Sequence, residues 1–165
     1  MTFPFLWPIL RYKLNKQFGF IGLVLLQFVK TFPKSLPPLD TKNRKRLMFF
    51  LKFSALILYA WSKKIWVIPY SIYRSTEEQN LKYQQGRTLP GKIVTNTDGK
   101  LKISKHQEWR AGDVLILDEN LNSDWETFAK YEILGLFWMA MGGTWGHEWF
   151  QMAMTAFDDC GHFEV

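Results

Sequence analysis

The chain has 165 residues, which suits one domain with a short extension and is enough to bury a hydrophobic core without disulfides. Hydrophobic residues make up 47% and aromatic residues 17%, a composition that excludes a disordered chain. One cysteine excludes an intramolecular disulfide and a four-cysteine zinc site, and the formal charge of +6 favours polyanionic partners without choosing among them.

The arrangement of basic residues argues against nucleic-acid binding. They cluster at residues 42–46 and 63–64, but no stripe of Lys and Arg is interleaved with aromatic residues that could stack on bases. We therefore predict no nucleic-acid partner.

Residues 1–32 form an aromatic-rich segment that we expect to be mostly helical. The apolar run at residues 18–29 follows three basic residues, as in a signal peptide, but no small-residue cleavage site comes after it. The run is also shorter than the roughly 20 residues that span a bilayer. A buried or interfacial helix is favoured, and contact of this segment with a membrane remains open.

The prolines of residues 33–38 break the helical pattern, since proline fixes its own backbone and disfavours helix in the residue before it. This break predicts an N-terminal extension, residues 1–40, followed by a domain covering residues 41–165.

The next element is predicted to be a helix over residues 42–62, capped by Asp40 or Thr41. One face carries Leu47, Phe50, Leu51, Leu58 and Trp61, and the other sides are also apolar. Such a helix is typical of the centre of a core. A membrane span is disfavoured because a lysine interrupts the run.

Short strands and helices follow without regular alternation. We predict a strand at 65–72, with Pro69 at an edge or bulge, and a helix to residue 86 that begins with a capping box of Ser75 and Glu78. A loop or hairpin at 89–105, a strand at 111–117, a helix at 125–141 capped by Ser123 or Asp124, and a last strand at 161–165 complete the order. This pattern, without internal repeats, predicts the α+β class.

Two of the three histidines stand in contexts that suit a metal site. His106 ends a loop and Asp113 lies in the next strand, so both could converge on one cation with His162 as third ligand. A catalytic zinc ion has three protein ligands and acidifies a water, whose proton a nearby carboxylate such as Asp159 could accept. The alternative is that these are ordinary polar residues of loops.

Cys160 and His147 are weaker candidates. A cysteine nucleophile needs a paired base, and the residues around Cys160 specify none, so we do not predict a catalytic thiol. His147 could shape a substrate groove or could pack between the tryptophans that flank it, and both interpretations stay open.

Several motifs, in order, resemble one family of zinc peptidases. They are the segments 73–79, 86–88 and 90–96, the set Ser104, His106, Ala111 and Asp113, the set Gly142, Gly143 and Trp145, and the closing set Asp159, His162, Phe163 and Glu164. Residues 44–165 are thereby similar to the wall-cutting family that holds the D-alanyl-D-alanine carboxypeptidases and dipeptidases and the L-alanyl-D-glutamate peptidases of phage endolysins.

The resemblance implies a compact hedgehog/DD-peptidase-like α+β fold, with a small antiparallel sheet flanked by helices, and one bound Zn²⁺. It also implies a role for each candidate residue: His106, Asp113 and His162 as metal ligands, Asp159 as general base, Arg74 as oxyanion stabiliser, and Ser104 and His147 as substrate contacts.

Two positions depart from the family pattern. Trp109 stands where the family has glycine, and Gly161 stands where it has proline. These changes bear on substrate preference more than on metal binding, because the ligand and base positions are intact.

The expected function is an endolysin-like zinc endopeptidase that cuts the L-Ala–D-Glu bond of peptidoglycan stem peptides. We expect a monomer of phage or prophage origin, made in the cytoplasm of a bacterial host and acting at the cell wall. The alternatives are a D-Ala-D-Ala carboxypeptidase or dipeptidase, and a catalytically degenerate module that binds the wall or a membrane.

Overall fold

The computed structural model describes residues 6–32, 38, 40–124, 127–154 and 157–165, with side chains from residue 18 onward. Within these residues the chain forms five α-helices, one 3-10 turn and four β-strands. The helices are α1 (Leu6–Thr31), α2 (Thr41–Ser62), α3 (Thr76–Gln84), α4 (Phe128–Ala140) and α5 (Gly146–Gln151), and the 3-10 turn is Lys105–Glu108. The strands are β1 (Val67–Ser71), β2 (Ala111–Ile116), β3 (Thr144–Trp145) and β4 (His162–Glu164).

The four strands form one antiparallel sheet in the order β1-β2-β4-β3, which confirms the predicted α+β class. Each of β1, β2 and β4 lies inside the segment predicted for it and is shorter by one to three residues. As predicted, Pro69 lies on an edge strand, and the pairing with β2 shifts between Pro69 and Ser71. Proline has no N–H to donate to the ladder, so an edge accommodates it.

The two faces of the sheet differ in what covers them. On β2 and β4, Gly112 pairs with Phe163 and Asp113 pairs with His162. Because side chains alternate along a strand, the first pair lies on one face and the second pair on the other. A Cβ on Gly112 would lie 2.9 Å from the ring of Phe53 on α2, so glycine allows α2 to approach this face closely.

Helix α2 begins as predicted, with Asp40 accepting a hydrogen bond from the backbone N–H of Asn43 at 2.9 Å. Its buried side differs from the predicted apolar face. The buried residues are Phe49, Lys52, Phe53, Ala55, Leu56, Tyr59 and Ala60. Phe50, Leu58 and Trp61 are exposed instead. The helix is apolar on several sides, so its neighbours α1, α4 and the sheet decide which side is buried.

Helix α1 bends at Gly19, whose φ of 66° lies in the left-handed region that glycine adopts without a Cβ penalty. Just before the bend, the ring of Phe18 packs edge-on against Tyr59 of α2 and Phe137 of α4. Leu26 and Val29 join the same buried cluster. This part of the N-terminal extension therefore shares one core with α2 and α4. Among the described helices, none combines the length and apolarity that crossing a bilayer requires.

The remaining helices agree with the predictions only in part. The capping box of Ser75 and Glu78 at the start of α3 is confirmed by both of its hydrogen bonds. Neither residue predicted to cap α4 does so. Its N-cap is Thr127, without a side-chain capping bond, and Asp124 accepts hydrogen bonds from Thr127 instead. The predicted helix start at residue 125 and most of the predicted proline-rich break, residues 33–37, lie outside the described residues.

Candidate metal centre

The pairing of β2 with β4 places two of the three predicted ligands, Asp113 and His162, side by side. Asp113 and His162 are directly opposite in the antiparallel ladder, on the face away from α2. Directly paired residues share a face and have neighbouring Cβ atoms. Asp113 Oδ1 and His162 Nδ1 are 2.9 Å apart.

The remaining predicted ligand, His106, lies in the 3-10 turn that precedes β2. Ser104 caps this turn, accepting from the N–H of His106 at 3.3 Å, and Gln107 completes a capping box. The turn directs the His106 ring into the site, where its Nε2 lies 3.3 Å from Asp113 Oδ1 and 3.2 Å from His162 Nδ1. The structure thus brings together all three residues that were predicted from the sequence to be metal ligands.

The three ligand atoms form a triangle that matches a metal shell. Its edges are 2.9, 3.2 and 3.3 Å. Ligand atoms in a tetrahedral zinc shell, with bonds of about 2.0–2.1 Å, are about 3.3 Å apart. His106, Asp113 and His162 form the one His/Cys/Asp/Glu group with such ligand spacing among the described residues.

Hydrogen bonds behind the two imidazoles set which ring nitrogens face the centre. His106 Nδ1 lies 3.3 Å from the backbone oxygen of Ile72, and His162 Nε2 lies 3.3 Å from Glu164 Oε2. Both partners are acceptors, so in the neutral form of each ring, which a metal ligand requires, the outer nitrogen carries the proton and the inner nitrogen presents a lone pair. Two lone pairs 3.2 Å apart repel unless a cation or a proton lies between them. This arrangement is the strongest sign of a metal centre.

The electrostatics of the centre favour a bound positive charge. Burial alone would lower the pKa of His162, but hydrogen bonds to Asp113 and Glu164 and the charges of Asp113 and Asp159 raise it to about 10. Burial likewise would raise the pKa of Asp113, but hydrogen bonds from His106 and His162 hold it well below its usual range. The carboxylate is therefore ionised at neutral pH, as a ligand must be.

Asp159, the predicted base, lines the same cavity as the three ligands. Burial raises the pKa of this carboxyl, and the charge of Asp113 raises it further, while His162, His106 and Arg74 act in the opposite direction. A carboxyl with a raised pKa holds a proton more readily near neutral pH, which suits acid–base work.

Arg74 is buried behind Asp113 on the cavity wall. Its Nη2 lies 3.4 Å from Asp113 Oδ2, and its Nη1 donates to Gln79 Oε1 at 2.8 Å. Asp113 therefore offers one oxygen to the guanidinium and the other to the imidazoles. Burial lowers the pKa of Arg74, and the charges of Asp113 and Asp159 raise it.

The cavity at the centre has a volume of about 540 Å³ and is open to solvent. Ser104, Arg74, Asp159 and the three ligands line it. Basic residues lie on its wall at Lys82, Lys102 and Lys105, and apolar surface is added by Trp149, Met154 and Phe157. A pocket of this size can hold a short peptide segment.

His147 does not join the lining of this cavity. Its Nδ1 lies 2.8 Å from Asp158 Oδ1, and its ring packs against Trp145 and Phe128. These contacts are those of the packing role that the sequence left open, and nothing in them reaches the three ligands.

Cys160 is half-buried, and burial raises the pKa of its thiol to about 11. A thiol with this pKa is protonated at neutral pH and is a poor nucleophile. The raised pKa gives no support to a role for Cys160 as nucleophile.

Trp109 stands where the resemblance to the peptidase family predicts glycine, and its backbone has a conformation that glycine favours. Trp109 adopts φ 60° and ψ 39°, in the left-handed region where glycine has no steric penalty and other residues lose about 1–2 kcal/mol. Stacking on Tyr73, with ring centroids 4.6 Å apart, offsets part of that cost. The Trp109 ring also faces Phe50 of α2 and does not line the cavity, so this change leaves the centre open.

Three residues that contact the side chains of the candidate centre were not predicted from the sequence. Glu164 fixes the tautomer of His162, Gln79 holds Arg74, and the ring of Trp149 packs 5.1 Å from that of His162. Glu164 could have been found, because residues two apart on a strand share a face. Gln79 and Trp149 carry no comparable signal, since they lie on separate helices.

No protein-family model matches the chain.

Proposed function

We propose that the protein is a zinc-dependent peptidase that hydrolyses a bond in peptidoglycan stem peptides, as the resemblance of residues 44–165 implies. One observation carries the proposal: two imidazole lone pairs and a carboxylate oxygen converge within 3.3 Å of one another. This convergence lies in an open cavity that the half-buried carboxyl of Asp159 also lines.

The donor set fits a catalytic zinc site. His106, Asp113 and His162 would hold the ion, and three protein ligands leave a position open to solvent or substrate. When bound, zinc polarises a carbonyl and acidifies a water.

The protein's own residues would carry the proton transfers. Asp159 accepts a proton from the water whose oxygen adds to the peptide carbonyl carbon, and it returns that proton to the nitrogen as the C–N bond breaks. Burial raises the pKa of Asp159 above that of an ordinary carboxyl, which supports its role as proton acceptor and donor.

Arg74 is proposed to face the negative charge that develops on the carbonyl oxygen. Its guanidinium lies on the cavity wall, beside the three ligands. Preorganised donors of this kind contribute strongly in a buried site. Ser104 supports the centre by capping the turn that carries His106, and its position on the wall suits substrate contact.

The lysines on the cavity wall support an acidic peptide as substrate, beside the carboxylates of Asp113, Asp159 and Glu164 that line the same cavity. Three lysines, Lys82, Lys102 and Lys105, line it together with Arg74. The L-Ala–D-Glu bond is flanked by the carboxylate of the glutamate, so we propose endopeptidase cleavage there, by a monomer acting at a bacterial wall. The formal charge of +6 would assist approach to an anionic wall.

The test combines metal analysis with mass spectrometry of purified peptidoglycan after digestion by the full chain. We expect about one zinc per chain and stem peptides with a new amino terminus at D-glutamate. Release of single D-alanine residues would identify a carboxypeptidase instead. Wall binding by a zinc-free, inactive protein would identify a degenerate module.

Neighbouring carboxyls provide a matched pair of variants. Asp159→Asn should lower the hydrolysis rate about 10²- to 10⁴-fold and leave zinc content unchanged. Asp158→Asn, which changes an exposed carboxyl bound to His147, should leave the rate within about twofold. Normal hydrolysis by the Asp159 variant would rule out the proposed mechanism.

A further inference from the structure

Four large apolar side chains are exposed along one face of α1, away from the core. Phe20 is 82% exposed, Ile21 and Val24 are each 51% exposed, and Phe28 is 46% exposed. They recur at the spacing of one helix face, whereas Phe18, Leu26 and Val29 on the opposite side are buried. We call Phe20, Ile21, Val24 and Phe28 the outer face of α1. An apolar group of this kind marks an interaction surface more often than a chance exposure.

The charge of the chain is divided unevenly along the sequence. Residues 1–64 hold 12 Lys and Arg and one acidic residue, a formal charge of +11, whereas residues 65–165 hold 9 and 14, a formal charge of −5. Lys30 lies in the last turn of α1, and Lys63, the C-cap residue of α2, lies beside Gly19 near the start of the outer face. Basic residues therefore flank the apolar face at both ends.

We propose that the outer face of α1 docks the protein on the surface of an anionic lipid bilayer. An amphipathic helix with an apolar face and basic flanks lies in the interface plane, with its apolar side chains among the acyl chains and its cations at the headgroups. A second copy of the chain is a poorer occupant, because it would bring two strongly positive halves together.

The proposed docking leaves the metal centre accessible. Helix α1 packs on α2 and α4, and α2 packs on one face of the sheet, while Asp113 and His162 lie on the other face. A bilayer on the outer face of α1 would thus contact the side of the molecule opposite the cavity. The inference is independent of the peptidase proposal, since it uses none of the cavity residues.

The experiment is flotation of the purified full chain with vesicles. One set contains phosphatidylcholine alone and the other contains phosphatidylcholine mixed with phosphatidylglycerol. We expect binding to the anionic vesicles, weakened by added salt, and at least about tenfold weaker binding to the neutral ones, because each basic residue near the surface adds attraction.

Two variants with the same net charge distinguish the effect of losing an apolar side chain from the outer face of α1 from the effect of the added negative charge. Phe20→Glu should weaken binding to anionic vesicles by about tenfold or more, since it removes a large apolar side chain from the interface. Leu121→Glu, which changes a 68% exposed leucine in the turn after β2, should change binding by less than about twofold. Circular dichroism of both variants confirms that they fold.

Three results would overturn the proposal: no binding to either set of vesicles, equal binding by Phe20→Glu and the unchanged chain, or equal binding to neutral and anionic vesicles. Sedimentation of the unchanged chain adds a fourth. If it is a dimer that Phe20→Glu converts to monomer, without vesicle binding, the outer face is an interface between copies.

Discussion

The two faces of the sheet are built from the same strands and have opposite roles. On β4, Phe163 faces the helices and packs on Trp138, whereas His162 and Glu164 on either side of it face the cavity. On β2, Gly112 faces the helices and Asp113 faces the cavity. The comparison teaches that a strand of three residues can serve the core and the candidate site together, because its side chains alternate.

Substitution of adjacent residues on β4 should separate the two faces most clearly. Phe163→Ala removes a fully buried ring and should lower the free energy of unfolding by about 3–5 kcal/mol, because a cavity remains in its place. This variant should still gain about 4 kcal/mol when zinc is present at a thousandfold excess over its dissociation constant. His162→Asn should lose that gain. Urea unfolding with and without zinc measures both effects, and an equal zinc gain in the two variants would place the metal elsewhere.

A change of pH should act on the cavity face through His162. Burial opposes the charged form of His162, but Asp113 and Glu164 raise its pKa from 6.5 to about 10. In zinc-stripped protein this raised folded-state pKa stabilises the fold fully below pH 6.5, and the contribution is lost as the pH rises through about 10. Zinc must displace the proton, so its affinity should rise about tenfold per pH unit between about pH 6 and pH 8.

Calorimetric titration of zinc in buffers of different ionisation enthalpy counts the proton released on binding. Phe163→Ala provides the control, since its pH dependence of zinc affinity should match that of the unchanged chain. A zinc affinity that does not depend on pH would contradict the protonation of His162.

Removal of the carboxylate behind His162 should have a smaller effect. Glu164→Gln weakens the hydrogen bond that fixes the ring tautomer, and loss of such a partner lowers metal affinity about 10- to 100-fold. Glu132→Gln removes the same charge from the exposed side of α4 and should change the affinity by less than about twofold. Competition with a chromogenic zinc chelator measures both. If the two variants bind zinc equally, Glu164 does not orient His162.

The smallest effect is expected at the histidine outside the cavity. His147→Gln breaks the contact with Asp158 but touches none of the three ligands, so zinc affinity should stay within about twofold. The same chelator competition tests this, with His162→Asn as the positive control. A large loss of zinc affinity in His147→Gln would mean that His147 contributes to the zinc site.

Much of the local structure could be predicted because it depends on neighbours in sequence. The Asp40 cap, the capping box at Ser75 and the edge position of Pro69 each follow from hydrogen-bonding capacity within a few residues. The cap of α4 was predicted wrongly, because Asp124 bonds the N–H and hydroxyl of Thr127 and the helix begins only after Thr127.

The buried side of α2 shows the limit of periodicity. The predicted face contains Phe50, Leu58 and Trp61, which are exposed, whereas Phe49, Phe53 and Tyr59 are buried. Helical spacing fits both sets, so the pattern alone is ambiguous. In the structure the rings of Phe49 and Phe53 lie against Gly112, where the lack of a Cβ lets α2 approach the sheet closely.

The sequence by itself determined the class of the fold, the places of most elements and the residues His106, Asp113 and His162 as candidate ligands. These follow from short-range preferences and from motifs in a fixed order. Only the tertiary structure decided that the three ligand atoms meet, that Glu164 and Ile72 orient the imidazoles, and that His147 lies outside the cavity. The reason is physical: these contacts join residues up to 56 positions apart in the chain, and only the pairing of strands and the packing of helices bring such residues within bonding distance.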